Sequence, residues 1–305
     1  MTSNDIVNPS VLGRVTELAE CYSRAEPFKH VVIDDFFTQE VAQSLLNEFP
    51  AFELGNNVGD DGKPGNKSTL ERIQKLGSEF QRLDEQIKTR QFLDLIGSIT
   101  GIPELIYDPF YLGGGTHDNR NGQTLNPHVD FNYHPSEGWH RRLNLIVYLN
   151  PEWDAGWGGN LELFSDPYAD AMPLQRIAPL YNRCVIFGTT ENSWHGFDRI
   201  QLPPGREAVS RKSIALYFYS KERPANEVAG KHTTHYVNAQ LPPYFVSGYT
   251  LSETDVETLK GLVQSRDDML RRLYKENSDL RQAHDRGLSG KIIYLLRRLY
   301  TRYRR

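Results

Sequence analysis

Four polar residues in this chain could do chemistry together: His128 and Asp130, two positions apart, then His195, then Arg211. Two imidazoles and one carboxylate can cap one face of an octahedral ferrous ion and leave the opposite face open. An arginine, with its planar fork of donors, can grip the far carboxylate of a small diacid held on that open face. The combination points to metal-assisted oxidation fed by a 2-oxo acid. An H-x-D triplet alone is a weak signal, and for His128 by itself a hydrogen-bonded turn histidine competes. The surrounding elements therefore carry the weight.

In an extended strand, residues i and i+2 point to the same side, so His128 and Asp130 aim at a common point. Gly122, Asn126 and Pro127 give the preceding segment turn character, so the pair is expected to open a strand at a pocket mouth. Residues 142–150, 158–164, 183–188 and 211–219 alternate or are rich in β-formers, and read as strands of one antiparallel region. Every candidate ligand lies on or beside one of them. By parity, Arg142, Asn144, Ile146 and Tyr148 share a face. If Tyr148 points inward, Asn144 does too and could bond a cofactor's near end; the competing reading of Tyr148 is a core aromatic. Lys212 takes the outward face, which turns Arg211 inward, and Ser213 faces the same way as a helper for the carboxylate.

A longer pattern surrounds these residues. Asn126-Pro-His-Val-Asp-Phe131 is followed by Leu145-Ile-Val-Tyr-Leu-Asn-Pro-Glu-Trp-Asp154 and Gly156-Trp-Gly-Gly-Asn-Leu-Glu-Leu-Phe164. Cys184-Val-Ile-Phe187, Trp194-His-Gly-Phe197 and Arg211-Lys-Ser-Ile-Ala-Leu-Tyr-Phe-Tyr219 complete it. In order and spacing, residues from about 29 to 221 resemble the prolyl-4-hydroxylase-type branch of the 2-oxoglutarate/Fe(II) oxygenase superfamily. The resemblance implies an α+β fold. Its core would be a double-stranded β-helix of jelly-roll, cupin-like form, with flanking N-terminal helices and a helical C-terminal extension. It implies His128, Asp130 and His195 as iron ligands and Arg211 on the distal carboxylate of 2-oxoglutarate. Tyr148 lies where the family often sets a tyrosine hydroxyl against that carboxylate. Fe(II), 2-oxoglutarate as co-substrate, O2 and ascorbate as reductant would follow, with no catalytic side chain beyond the metal ligands.

The implied activity is hydroxylation of an unactivated C–H bond, first of all a prolyl-hydroxylase-like reaction on a peptide or protein. The same chemistry on a glycan, lipid or small metabolite is the alternative. A metal-dependent isomerase or hydrolase of cupin type would need no diacid clamp. A non-enzymatic β-sandwich interaction module would leave buried His and Asp costly to satisfy.

The rest of the chain fits. It has 305 residues, 38% of them hydrophobic, and a net charge of −4 that offers no pull toward nucleic acid. Two cysteines, Cys21 and Cys184, are too few for a disulfide scaffold. The first residues show no secretory leader, and reduced thiols with a ferrous site suggest the cytoplasm. A helix is expected over 11–25, a strand over 29–37, a helix capped by Thr38, and helices within 71–100. The loop 54–69 is either a lid over the pocket mouth or an ordinary solvent loop. His134 and His140 read as surface or substrate-contact residues, and Trp139, Trp153 and Trp157 as rim.

An oxygenase domain over 1–250 would precede a helical extension over 251–305. There Ser252 and Asp255 form a cap signal. Leu259, Leu262, Met269, Leu273 and Leu280 make a partial heptad that Arg266 and Glu276 interrupt. The last 15 residues carry six Lys/Arg and no acid. Segment 288–305 therefore reads as a basic amphipathic helix for peripheral membrane or partner contact.

Overall fold

Alternation of apolar and polar residues builds two antiparallel sheets whose inner faces meet, with helices behind the larger one. The computed structural model describes residues 5–55, 67–169, 172–237, 241–242 and 244–286. They fall into two units, 1–239 and 240–305. The first holds helices α1 (Pro9–Leu12), α2 (Val15–Arg24), α3 (Gln39–Asn47), α4 (Ser78–Ile87) and α5 (Arg90–Thr100). The helix expected over 11–25 is two helices, because the chain turns at Gly13, whose N–H bonds Pro9 O. Thr38 caps α3 as expected, accepting from Val41 N at 3.3 Å.

The larger sheet has the order β1-β9-β6-β11-β4-β2, with β3 added on β11. Its strands are β1 (His30–Ile33), β2 (Lys67–Leu70), β3 (Ile106–Tyr107), β4 (Gly115–Asn119), β6 (His140–Tyr148), β9 (Cys184–Gly188) and β11 (Arg211–Ser220). The smaller sheet, β12-β5-β10-β7-β8, is built from β5 (Leu125–Val129), β7 (Leu161–Phe164), β8 (Gln175–Ile177), β10 (Trp194–Phe197) and β12 (His235–Tyr236). The fold is α+β with a double-stranded β-helix core.

Period-2 alternation divides each central strand between two cores. Leu143, Leu145 and Val147 of β6 join Ile214, Leu216 and Phe218 of β11 against Phe80, Leu83, Phe92 and Ile96 of the helices. On the inner face Tyr148, Val185 and Phe187 pack with Leu161, Leu163 and Ile177 of the smaller sheet. One irregularity matters for the site. The β6–β11 register shifts between Phe218, opposite Leu143, and Tyr219, opposite Arg141, so Arg142 is an extra residue. Such a bulge re-aims side chains. Arg141 therefore shares the inner face with Asn144, Ile146 and Tyr148, and Arg142 turns away to Ser220 Oγ at 3.1 Å. The plain parity that placed Arg142 on the inner face is corrected by this bulge.

Residues 67–69 of the loop or lid expected over 54–69 belong to an edge strand paired with β4, and its residues 56–66 fall outside the described residues. The tail 287–305, with its expected membrane or partner contact, also lies outside them. No helix among the described residues is long and apolar enough to cross a membrane. The second unit carries α6 (Glu253–Arg286). Ser252 and Asp255 exchange backbone bonds at its start, and the Tyr244 and Tyr249 hydroxyls donate to Asp255. These bonds tie Tyr244, Tyr249 and Ser252 to the start of the helix, within the unit that spans 240–305.

Candidate metal and diacid site

Strand pairing brings the three candidate ligands together. β10 lies against β5 with His195 directly opposite His128, their ring centroids 4.2 Å apart. Asp130 follows one residue after β5, so the pair closes this strand rather than opening it. One ligand atom from each of His128, Asp130 and His195 lies within 4.8 Å of the others. Both histidines bond a carbonyl two residues back through Nδ1: His128 to Asn126 O and His195 to Ser193 O, each at 2.9 Å. A carbonyl only accepts, so each Nδ1 carries the proton and each Nε2 offers a lone pair inward. This is the second-sphere pattern of a metal-binding imidazole, and the donor set fits a ferrous ion with one face open. Tyr236 of β12 stacks on the His128 ring at 5.0 Å and fixes its plane.

Asp130 has two further partners. Asn144 Nδ2 donates to its Oδ2 at 2.8 Å, and Arg141 Nη2 lies 3.1 Å from the same oxygen. Burial opposes ionisation of Asp130, but Arg141, the two imidazoles and Asn144 outweigh it and hold the carboxyl well below the usual carboxylate range. Burial, then His128, pushes His195 down to about 4 against the pull of Asp130, so it stays neutral and able to ligate near pH 7. Arg141 is only 1% exposed, its guanidinium between the rings of Tyr217 at 3.6 Å and Phe131 at 4.4 Å. Its Nε and Nη2 bond Asn144 Oδ1. Both ends of the Asn144 amide are thus engaged with Asp130 and Arg141, where a bond to a co-substrate was expected.

Arg211 begins β11 on the same inner face and is buried. Its Nε donates to Gly159 O at 2.6 Å and its Nη2 to the Tyr148 hydroxyl at 3.3 Å. The Phe197 ring lies 4.5 Å from the guanidinium carbon. Among the described residues no carboxylate lies within ion-pair distance of it. Asp198 pulls on it only from beyond contact, and a buried cation without a contacting counter-charge is costly, so the pocket suits an anion. Burial pulls the Arg211 pKa down and pushes that of Tyr148 up, each partly offset by the other. Tyr148 therefore keeps its proton. It accepts from Arg211 and can donate to a ligand oxygen. Ser213 sits directly opposite Tyr148 on β11 and is buried there. Gly159 makes room: at φ +67° any Cβ would stand 3.0 Å from Arg211 Cδ and 3.1 Å from Trp153.

Two further placements differ from the expectation. His134 is fully buried rather than superficial, 3.4 Å from Asp108 and ringed by Phe110, Trp139 and Tyr219. Its partner is remote in sequence, so nothing local signals the pair. Arg141 was missed, because the bulge that turns it inward leaves no mark beyond the Arg141-Arg142 doublet.

Residues 115–219 match the family described as the 2OG-Fe(II) oxygenase superfamily. That segment contains all the candidate site residues. The chain is 24% identical over 208 residues to mouse prolyl 3-hydroxylase OGFOD1, covering 64% of this chain and 33% of that protein. It thus spans about a third of that curated relative. Among solved structures it is similar to a prolyl 4-hydroxylase from Phytophthora capsici, at 18% identity and TM-score 0.49, covering 94% of each chain. It is also similar to a Trichoplax adhaerens prolyl hydroxylase in complex with a peptide fragment from the oxygen degradation domain of hypoxia inducible factor. That likeness has 15% identity and TM-score 0.48, covering 70% of this chain and 94% of that one.

Proposed function

We propose that this chain is an Fe(II)- and 2-oxoglutarate-dependent dioxygenase that hydroxylates a peptide or protein substrate, with a prolyl-hydroxylase-like activity. The observation that carries the reading is the joint geometry: a buried His128–Asp130–His195 cluster, with the buried guanidinium of Arg211, which no carboxylate contacts, on the same inner face. The prolyl part of the reading draws on the 24% likeness to prolyl 3-hydroxylase OGFOD1.

A bound ferrous ion would supply the redox chemistry that couples oxidative decarboxylation of the 2-oxo acid to C–H hydroxylation, giving succinate and carbon dioxide. The protein's own part is geometric and electrostatic. His128, Asp130 and His195 would hold the ion, two imidazoles through Nε2 and one carboxylate. Arg141 and Asn144 hold the carboxylate in place. Arg211 and Tyr148, with Ser213 beside them, would take the distal carboxylate of 2-oxoglutarate. That anchor sets how far the 2-oxo end reaches toward the ligands. The surrounding Phe187, Phe197 and Leu163 keep water from the buried end. Ascorbate would serve as reductant, and the free thiols Cys21 and Cys184 suit a reducing, cytoplasmic setting.

The test is succinate release from 2-oxoglutarate with Fe(II), with and without a proline-rich peptide. Peptide-stimulated succinate with matching hydroxyproline supports the reading, and His128→Ala should abolish both. Full turnover in His128→Ala would reject the metal assignment. Stimulation by a glycan or small metabolite alone would move the substrate class.

A further inference from the structure

α6 is continuous over 34 residues, about 50 Å at 1.5 Å per residue. It leaves large apolar side chains in water: Val263 is 59% exposed, Leu270 49% and Tyr274 73%, with Val256 and Leu273 also exposed. A helix this long gains most of its stability from burying one face, not from propensity. The exposed residues are not scattered. Val256, Val263 and Leu270 are spaced by seven, and Asn277 is the next position in that series. The companion series, three residues on, runs Leu259, Arg266, Leu273 and Leu280. With these as positions a and d, positions b, c and f from 257 to 282 contain only charged or polar residues and Gly261. That is the seam of a coiled coil, polar on its outer side.

We propose that α6 pairs with α6 of a second copy of this chain as a parallel, in-register, two-stranded coiled coil. Three features select this occupant. β-branched Val at the first two a positions with Leu at d favours two strands in parallel pairs. A lone Asn at a, here Asn277, fixes register and strand number when it meets its own copy. The flanking charge fits self-pairing too: Glu276 occupies a g position and Arg281 the e position five residues on. These are partners across a parallel pair, and like charges in no other g–e couple oppose it. Arg266 at one d position weakens the seam without shifting its phase, and its long stem can lie along the interface while its head reaches water.

The test uses the full-length chain. Sedimentation equilibrium should give twice the chain mass at micromolar concentration. Val263→Glu with Leu270→Glu should return one chain mass while far-UV circular dichroism keeps the sheet signal. In a Cys21→Ser background, Val263→Cys should cross-link to itself on mild oxidation, as only a parallel in-register pair allows, whereas Gln264→Cys should not. A monomer at 100 µM, a trimer or larger, or a dimer that survives both glutamates would each overturn the proposal. So would a monomer that associates only once residues 288–305 are removed, since the stripe would then belong to this chain's own tail.

Discussion

Arg211 and Arg141 are both buried cations on one inner face, yet their surroundings assign them opposite tasks. Arg141 already has a carboxylate, Asp130, and a sandwich of aromatic faces. Arg211 has a carbonyl and a phenol. Replacing Arg211 with Met should raise the KM for 2-oxoglutarate about 10- to 100-fold, the range for losing a bond of about 1.5–3 kcal/mol to a charged group. Metal affinity should stay unchanged. An unaltered KM would remove Arg211 from the clamp. Replacing Arg141 with Gln should instead weaken Co(II) binding by about 10- to 100-fold, as loss of a partner to a metal ligand does. Calorimetry on the purified protein reads this without turnover, and equal affinity would reject the positioning role. The sequence made Arg211 legible through strand parity, because Lys212 has to face outward if Arg211 faces in. The same rule misplaced Arg142 and so missed Arg141, since parity holds only while the ladder is regular.

At the scale of elements, most of the core strands could be read from alternation, but not the pairing that builds the site. The pairing of β10 with β5, which sets His195 against His128, joins residues far apart in sequence. A local pattern cannot reveal such a register. β2 was hidden for another reason. Lys67-Ser68-Thr69-Leu70 is polar because it forms the edge of the sheet, and only its partner β4 makes it a strand. Gly159, two residues before β7, is the element-scale feature that admits Arg211 to the inner face. Gly159→Ala forces a left-handed residue and a 3.0 Å approach to Arg211 Cδ. It should cost about 1 kcal/mol or more, a fall of roughly 2–4 °C in Tm for a domain of this size, and raise the 2-oxoglutarate KM. A variant unchanged in both would show that the backbone yields there.

At the scale of the whole molecule, burial of the site couples stability to pH. His195 titrates at about 4 in the fold, below its ordinary 6.5. Between those values the unfolded chain binds a proton that the native protein refuses, so stability is full above pH 6.5 and declines as pH falls toward 4. The slope for one proton is about 1.4 kcal/mol per pH unit. Asp130, held below the usual carboxylate range, adds its loss only at still lower pH. Metal-free protein melted from pH 7 to 4.5 should show the decline, and His195→Gln should flatten it. A profile identical in both would show that the imbalance lies elsewhere.

The lone positive charge at 211 has one more result, for the end of the catalytic cycle. Succinate keeps the same far carboxylate that anchored its precursor, so the spent acid satisfies the guanidinium as well as fresh co-substrate does. Release should then be slow. Succinate should compete with 2-oxoglutarate, and by mass action it should raise the melting temperature of the resting enzyme, by about 2.7 kcal/mol of stability at a hundred times its Kd. The uncharged diamide of succinate, which leaves that charge unanswered, should do neither.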